Sequence, residues 1–76
     1  MNIKEFIQNF SDQFEDLGDV KLMPTTIFRE LEEWGSLEAM MVIAMIDEQY
    51  GVTISGEDIK KSQTIQDIFD AVSRKL

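Results

Sequence analysis

The run from Leu37 to Tyr50 is the richest apolar stretch of the chain, and glycines bound it at Gly35 and Gly51. With Gly35 as N-cap and Gly51 as a left-handed stop, the pattern predicts a helix that opens at Ser36 and Leu37 and closes at Tyr50. Stepping each residue by about 100° around the axis separates two apolar faces. Ala39, Val42, Ile43, Ile46 and Tyr50 fall in one sector roughly 100° wide, the width of an ordinary core stripe. Leu37, Met40, Met41, Ala44 and Met45 lie largely opposite, interspersed with Glu38, Asp47 and Glu48. A helix in a 76-residue domain is not buried all round. The second face is therefore a candidate partner surface, with adaptable methionines among carboxylates that steer a basic partner. The preceding loop is expected to cover Met40 or Met45, but not all three methionines.

Ser36 then stands exposed where unpaired backbone N–H groups and the positive end of the helix dipole favour a phosphate. Taken alone it is better read as a capping serine, since serine is common at helix starts and the arrangement is not specific.

Upstream, Asn2 with Glu5 forms a capping-box-like start, and Ile3, Phe6, Ile7, Phe10, Phe14 and Leu17 recur at helical spacing. The spacing predicts a first amphipathic helix ending before Gly18, its phenylalanines serving as core. Residues 18 to 35, with Gly18, Asp19 and the lone Pro24, form a long connection. Thr25 or Thr26 is expected to cap a short turn there, with Leu22, Ile27, Phe28 and Leu31 as apolar anchors and Trp34 as a packing plug. After Gly51, Val52 to Ile54 reads as an extended connector burying Ile54. Ser55 with Asp58 opens a brief helix carrying Ile59, with Lys60 and Lys61 at its end. Thr64 with Asp67 opens a last one with Ile65, Ile68, Phe69, Val72 and Leu76 inward. The expected fold is all-α: a single domain over residues 1–76, built as a small bundle of three main helices and one short helix.

Fifteen Asp and Glu against seven Lys and Arg give a formal charge of −8, which argues against nucleic acid or an anionic membrane as partner. Residues 30 to 59 hold Glu30, Glu32, Glu33, Glu38, Asp47, Glu48, Glu57 and Asp58 with no Lys or Arg, so the acid gathers around Ser36. Cysteine and histidine are absent, which removes thiolate and imidazole nucleophiles and metal ligands. Pairs such as Glu32 with Glu33 read as a solvated face, and the isolated glycines make no nucleotide loop. No catalytic or metal site is expected. With no secretion signal or apolar run of membrane-spanning length, a soluble, cytoplasmic monomer is expected.

The arrangement resembles the acyl carrier proteins and related phosphopantetheine-bearing carrier domains over nearly the whole chain. The resemblance rests on the small acidic four-helix layout, the long first loop, Phe28 before Ser36, the Ser36-Leu37 step, and the stretch from Ile43 to Ile54. It implies 4′-phosphopantetheine from coenzyme A on Ser36, installed by a phosphopantetheinyl transferase. It also implies an acyl or aminoacyl thioester delivered to partner enzymes with basic docking surfaces, in fatty-acid, polyketide or related biosynthesis. By the same resemblance Leu37, Met40, Met41, Ala44, Asp47 and Glu48 fall at partner-recognition positions, on the face that helical geometry also picks out. Phe28, Ala39, Ile46, Ile54, Ile59 and Ala71 are candidates for lining a cleft for an apolar chain and are equally well explained as plain core. The family usually has Asp-Ser-Leu where this chain has Gly35-Ser36-Leu37. The alternative is a carrier-like helical interaction module whose serine stays unmodified.

Overall fold

The computed structural model describes residues 1–15, 17–18 and 20–76; Asp19 of the long connection lies outside the described residues. Four α-helices are present among them: α1 (Ile3–Ser11), α2 (Ser36–Tyr50), α3 (Gly56–Lys61) and α4 (Ile65–Lys75), with a single 3-10 turn at Phe28–Glu30. Together they make the expected small all-α bundle with a long first loop.

Helix α1 starts where the cap predicts. The Asn2 side chain accepts from the backbone N–H groups of Lys4 and Glu5 at 2.8 and 3.4 Å. It ends at Ser11, well short of Gly18. There the backbone tightens into three-residue bonds, Gln13 N–H to Phe10 C=O and Phe14 N–H to Ser11 C=O, both 3.1 Å. The Ser11 hydroxyl bonds back to the Gln8 carbonyl at 3.0 Å, the local competition that makes serine a weak helix interior residue. Phe14 is still buried, and Leu17 packs against the core. The apolar period therefore outlasts the helix.

The first loop is pinned to the start of α4. Ile65 N–H donates to Thr26 C=O at 3.2 Å and Gln66 N–H to Pro24 C=O at 3.0 Å, beside an isolated bridge between Ile27 and Thr64. Leu22 and Phe28 are buried and Leu31 packs against the core. Ile27, expected as an anchor, is 42% exposed, because its backbone, not its side chain, makes the attachment. Thr26 closes the turn before the 3-10 segment by accepting from Met23 N–H at 2.8 Å, and the segment itself has no side-chain cap.

Helices α3 and α4 both open with complete capping boxes, Ser55 with Asp58 and Thr64 with Asp67. Connector residues Val52 and Ile54 are buried without forming a strand. In α2, Val42 and Ile46 are fully buried, while Ile43 and Tyr50 pack against the core. Met45, placed on the second face by angle, is 4% exposed. It lies only about 60° beyond Val42 around the axis, and an unbranched methionine reaches across that gap. Leu76, expected inward, is exposed past the end of α4.

Candidate functional site

Helix α2 begins with Gly35 as N-cap in an extended conformation, without any side-chain capping bond. Ser36 is consequently the first helical residue and not the cap. At α3 and α4 the cap hydroxyls of Ser55 and Thr64 accept from the N–H groups of Asp58 and Asp67 at 3.2 and 3.1 Å. The exposed Ser36 hydroxyl makes no such bond among the described residues. The capping role for Ser36 is thereby excluded.

Two grooves flank this serine. One, of about 470 Å³, runs between α2 and α3; Ser36 lines it with Ala39, Met40, Ile43 and Ile59, and Arg29 and Lys60 supply its cations. The other, of about 410 Å³, lies toward the end of α1, where Leu37, Met41 and Phe14 meet Glu15, Glu33 and Glu38. Of the positions proposed for an apolar cleft, Ala39 and Ile59 line the α2–α3 groove. Phe28, Ile46 and Ile54 are buried in the core, and Ala71 borders a different hollow beside α4. Core packing claims Phe28, Ile46 and Ile54 because their helices and connectors face inward there.

The floor beneath Ser36 is aromatic. Trp34 meets Phe28 edge-on at 4.7 Å and lies parallel to Phe10 at 6.2 Å, which makes it the plug expected of it. Arg29, to which no sequence signal pointed, sits over the Phe28 ring at 5.0 Å and donates to the carbonyls of Ser62 and Ile59 at 2.5 and 2.6 Å. Lys60 reads in sequence as a favourable helix-end charge; here it also faces the serine's groove. The acid-only interval from 30 to 59 is thus bracketed by two cations that the fold brings to one groove.

The proposed partner positions share one helix. Leu37 and Met40 are 63% and 67% exposed; Ala44, Asp47 and Glu48 are exposed, and Glu38 and Met41 are half-buried. Two acids elsewhere are spent on structure. Hydrogen bonds, first from the Ser55 backbone and then from Lys75, hold Asp58 below its ordinary 3.8. Backbone N–H groups of Gln63 and Thr64 do the same for Asp67.

The family model described as the phosphopantetheine attachment site matches residues 15–72. The chain belongs to this family. An acyl carrier protein of Thermosynechococcus vestitus is 32% identical to it over 56 residues, covering 74% of this chain and 69% of that relative. No solved structure matches the chain. As a phosphopantetheine carrier it has covalently attached 4′-phosphopantetheine as its cofactor. The Ser36 surroundings fit such a group: an unpaired hydroxyl at a helix start, Lys60 and Arg29 on the neighbouring groove for a phosphate, and an apolar strip of Ala39, Met40, Ile43 and Ile59 beside it. No described helix is long and apolar enough to cross a membrane.

Proposed function

We propose that Ser36 is the attachment point and that this chain carries acyl or aminoacyl groups between enzymes of fatty-acid, polyketide or related biosynthesis. The observation that carries the assignment is the exposed hydroxyl at the first position of α2, unbonded among the described residues, where the Ser and Thr that open α3 and α4 are consumed as caps. When bound, the arm supplies the thiol that holds the carried group as a thioester, which explains why a chain without cysteine needs none of its own. The protein's residues position and present. The start of α2 offers N–H groups and dipole to the phosphate, and Lys60 offsets its charge. Leu37, Glu38, Met40, Met41, Ala44, Asp47 and Glu48 form the face read by a phosphopantetheinyl transferase and by acyl-transferring enzymes with basic surfaces. The chain itself acts as a monomeric, cytoplasmic carrier and not as an enzyme.

Co-expression with a promiscuous phosphopantetheinyl transferase, followed by intact-mass measurement, tests the assignment. Wild type is expected to gain one arm and Ser36→Ala none. A wild type that stays unmodified would overturn it in favour of an unmodified interaction module, and an arm surviving the substitution would move it to another residue.

A further inference from the structure

Without cysteine, five methionine thioethers are the only sulfur that this chain itself contributes, and the fold treats them unequally. Met45 is buried in the core, Met41 is half-buried, and Met1 and Met23 are exposed at position 1 and in the first loop. Met40, at 67%, is the most exposed large apolar side chain among the described residues. It follows Ser36 by one turn on the same side of α2, and it borders the serine's groove with Ala39, Ile43 and Ile59.

A thioether that takes up one oxygen becomes a sulfoxide, polar and chiral where the side chain was apolar and pliant. At Met40 that oxygen enters a groove that already holds two cations. Arg29 spends its guanidinium on the Ile59 and Ser62 carbonyls, whereas Lys60 makes no hydrogen bond or ion pair among the described residues. Lys60 is therefore the donor open to a sulfoxide oxygen there. We propose that Met40 is a reversible oxidation site, at which a peroxide weakens the engagement of α2 by partner enzymes. With hydrogen peroxide, one oxygen passes to the Met40 sulfur as the O–O bond breaks, the sulfur gives up two electrons, and water leaves. Sulfoxide reductases, one for each epimer, return two electrons from thiols and release that oxygen as water; the exposure that admits peroxide also admits them. Oxidation removes apolar surface from the exposed part of α2 and draws Lys60 onto the sulfoxide at the same time. The site follows from exposure and placement, while its effect rests on the reading of α2 as the partner face given above.

The test uses the unmodified protein, in which the methionines are the only sulfur. Dilute hydrogen peroxide is added, and digestion with mass measurement follows each methionine in time. Met40 is expected to oxidise faster than Met41 and roughly tenfold or more faster than Met45. The effect is read with a promiscuous phosphopantetheinyl transferase as the probe, by arm transfer with intact mass and by calorimetric binding, each protein being compared with its own untreated form. Wild type is expected to lose roughly fivefold or more in both once Met40 is oxidised, and to recover after treatment with the two sulfoxide reductases. In Met40→Leu, where Met1 and Met23 still oxidise, the loss is expected to stay below about twofold. Met40→Gln, polar and of similar length, is expected to reproduce the loss without peroxide, and circular dichroism checks that each form stays folded. Oxidation of Met41 or Met45 as fast as Met40, an equal loss in Met40→Leu, or a fully oxidised wild type that keeps its binding and transfer would overturn the proposal. A wild type that the transferase neither binds nor modifies refutes the carrier reading instead, and the order of methionine oxidation still decides the site.

Discussion

The two sides of Ser36 are built from opposite charge on similar apolar floors. Toward α3, Arg29 and Lys60 border Ala39, Met40, Ile43 and Ile59; toward α1, Glu15, Glu33 and Glu38 border Phe14, Leu37 and Met41. An acidic chain thus gathers its few nearby cations on the side where a phosphate on Ser36 gains most from them, and leaves bare acid on the side open to a basic protein. Overall charge predicts the second side and conceals the first.

The harshest way to break the contrast is to remove what both sides stand on. Phe28 is fully buried and touches Phe10, Trp34 and Arg29. Phe28→Ala is expected to cost about 3–5 kcal/mol, most or all of the stability of so small a domain, read by thermal denaturation. Arg29→Met acts on the cationic side alone. It leaves the Ser62 carbonyl without its Arg29 donor and the Ile59 carbonyl with the Ser62 N–H alone, and a loss of about 1–3 kcal/mol is expected in chemical denaturation, with the acidic groove unaffected in the transferase-binding assay.

Salt probes the other side. Repulsion among the acids around α2 is screened by salt, so moderate NaCl or magnesium is expected to raise the melting temperature by a few degrees, and less in the Glu15→Gln, Glu33→Gln variant. The smallest effect separates the acids that cap from the one that does not. The carboxyl of Asp67 sits below its ordinary 3.8 because backbone N–H groups hold its charged form. Its contribution is therefore present above that value and fades as pH falls through the lowered one. Asp67→Asn is expected to lower the melting temperature at neutral pH, with the gap closing below pH 3.8. Glu38 makes no cap bond among the described residues, so Glu38→Gln is expected to change the melting temperature at neutral pH less than Asp67→Asn does.

What was legible in the sequence was local. The capping boxes of α3 and α4 and the two glycine ends of α2 each follow from residues within a turn or so of the boundary they set, and each stands where its spacing placed it. The misreadings came from contacts that spacing does not encode. Periodicity carried α1 to Leu17 because Phe14 and Leu17 do pack inward, only through turns and not through helix. Helical angle puts Met45 on the second face and the sequence expects either it or Met40 to be covered; the structure buries Met45 and leaves Met40 exposed, a choice that spacing alone does not make. Arg29 left no trace because its partners lie 30 and 33 residues away. The groove that joins it to Lys60 and Ser36 exists only once the first loop crosses the bundle.

That clamp has a consequence for motion. Helix α3, six residues long, is too short to persist by its own hydrogen bonds, and the carbonyls near its end are held by a guanidinium from the first loop. The short helix and the Phe28–Glu30 turn are then one cooperative unit, opening and closing together. Their amide protons are expected to exchange with solvent at a common rate, and the wall of the serine's groove yields as a single panel.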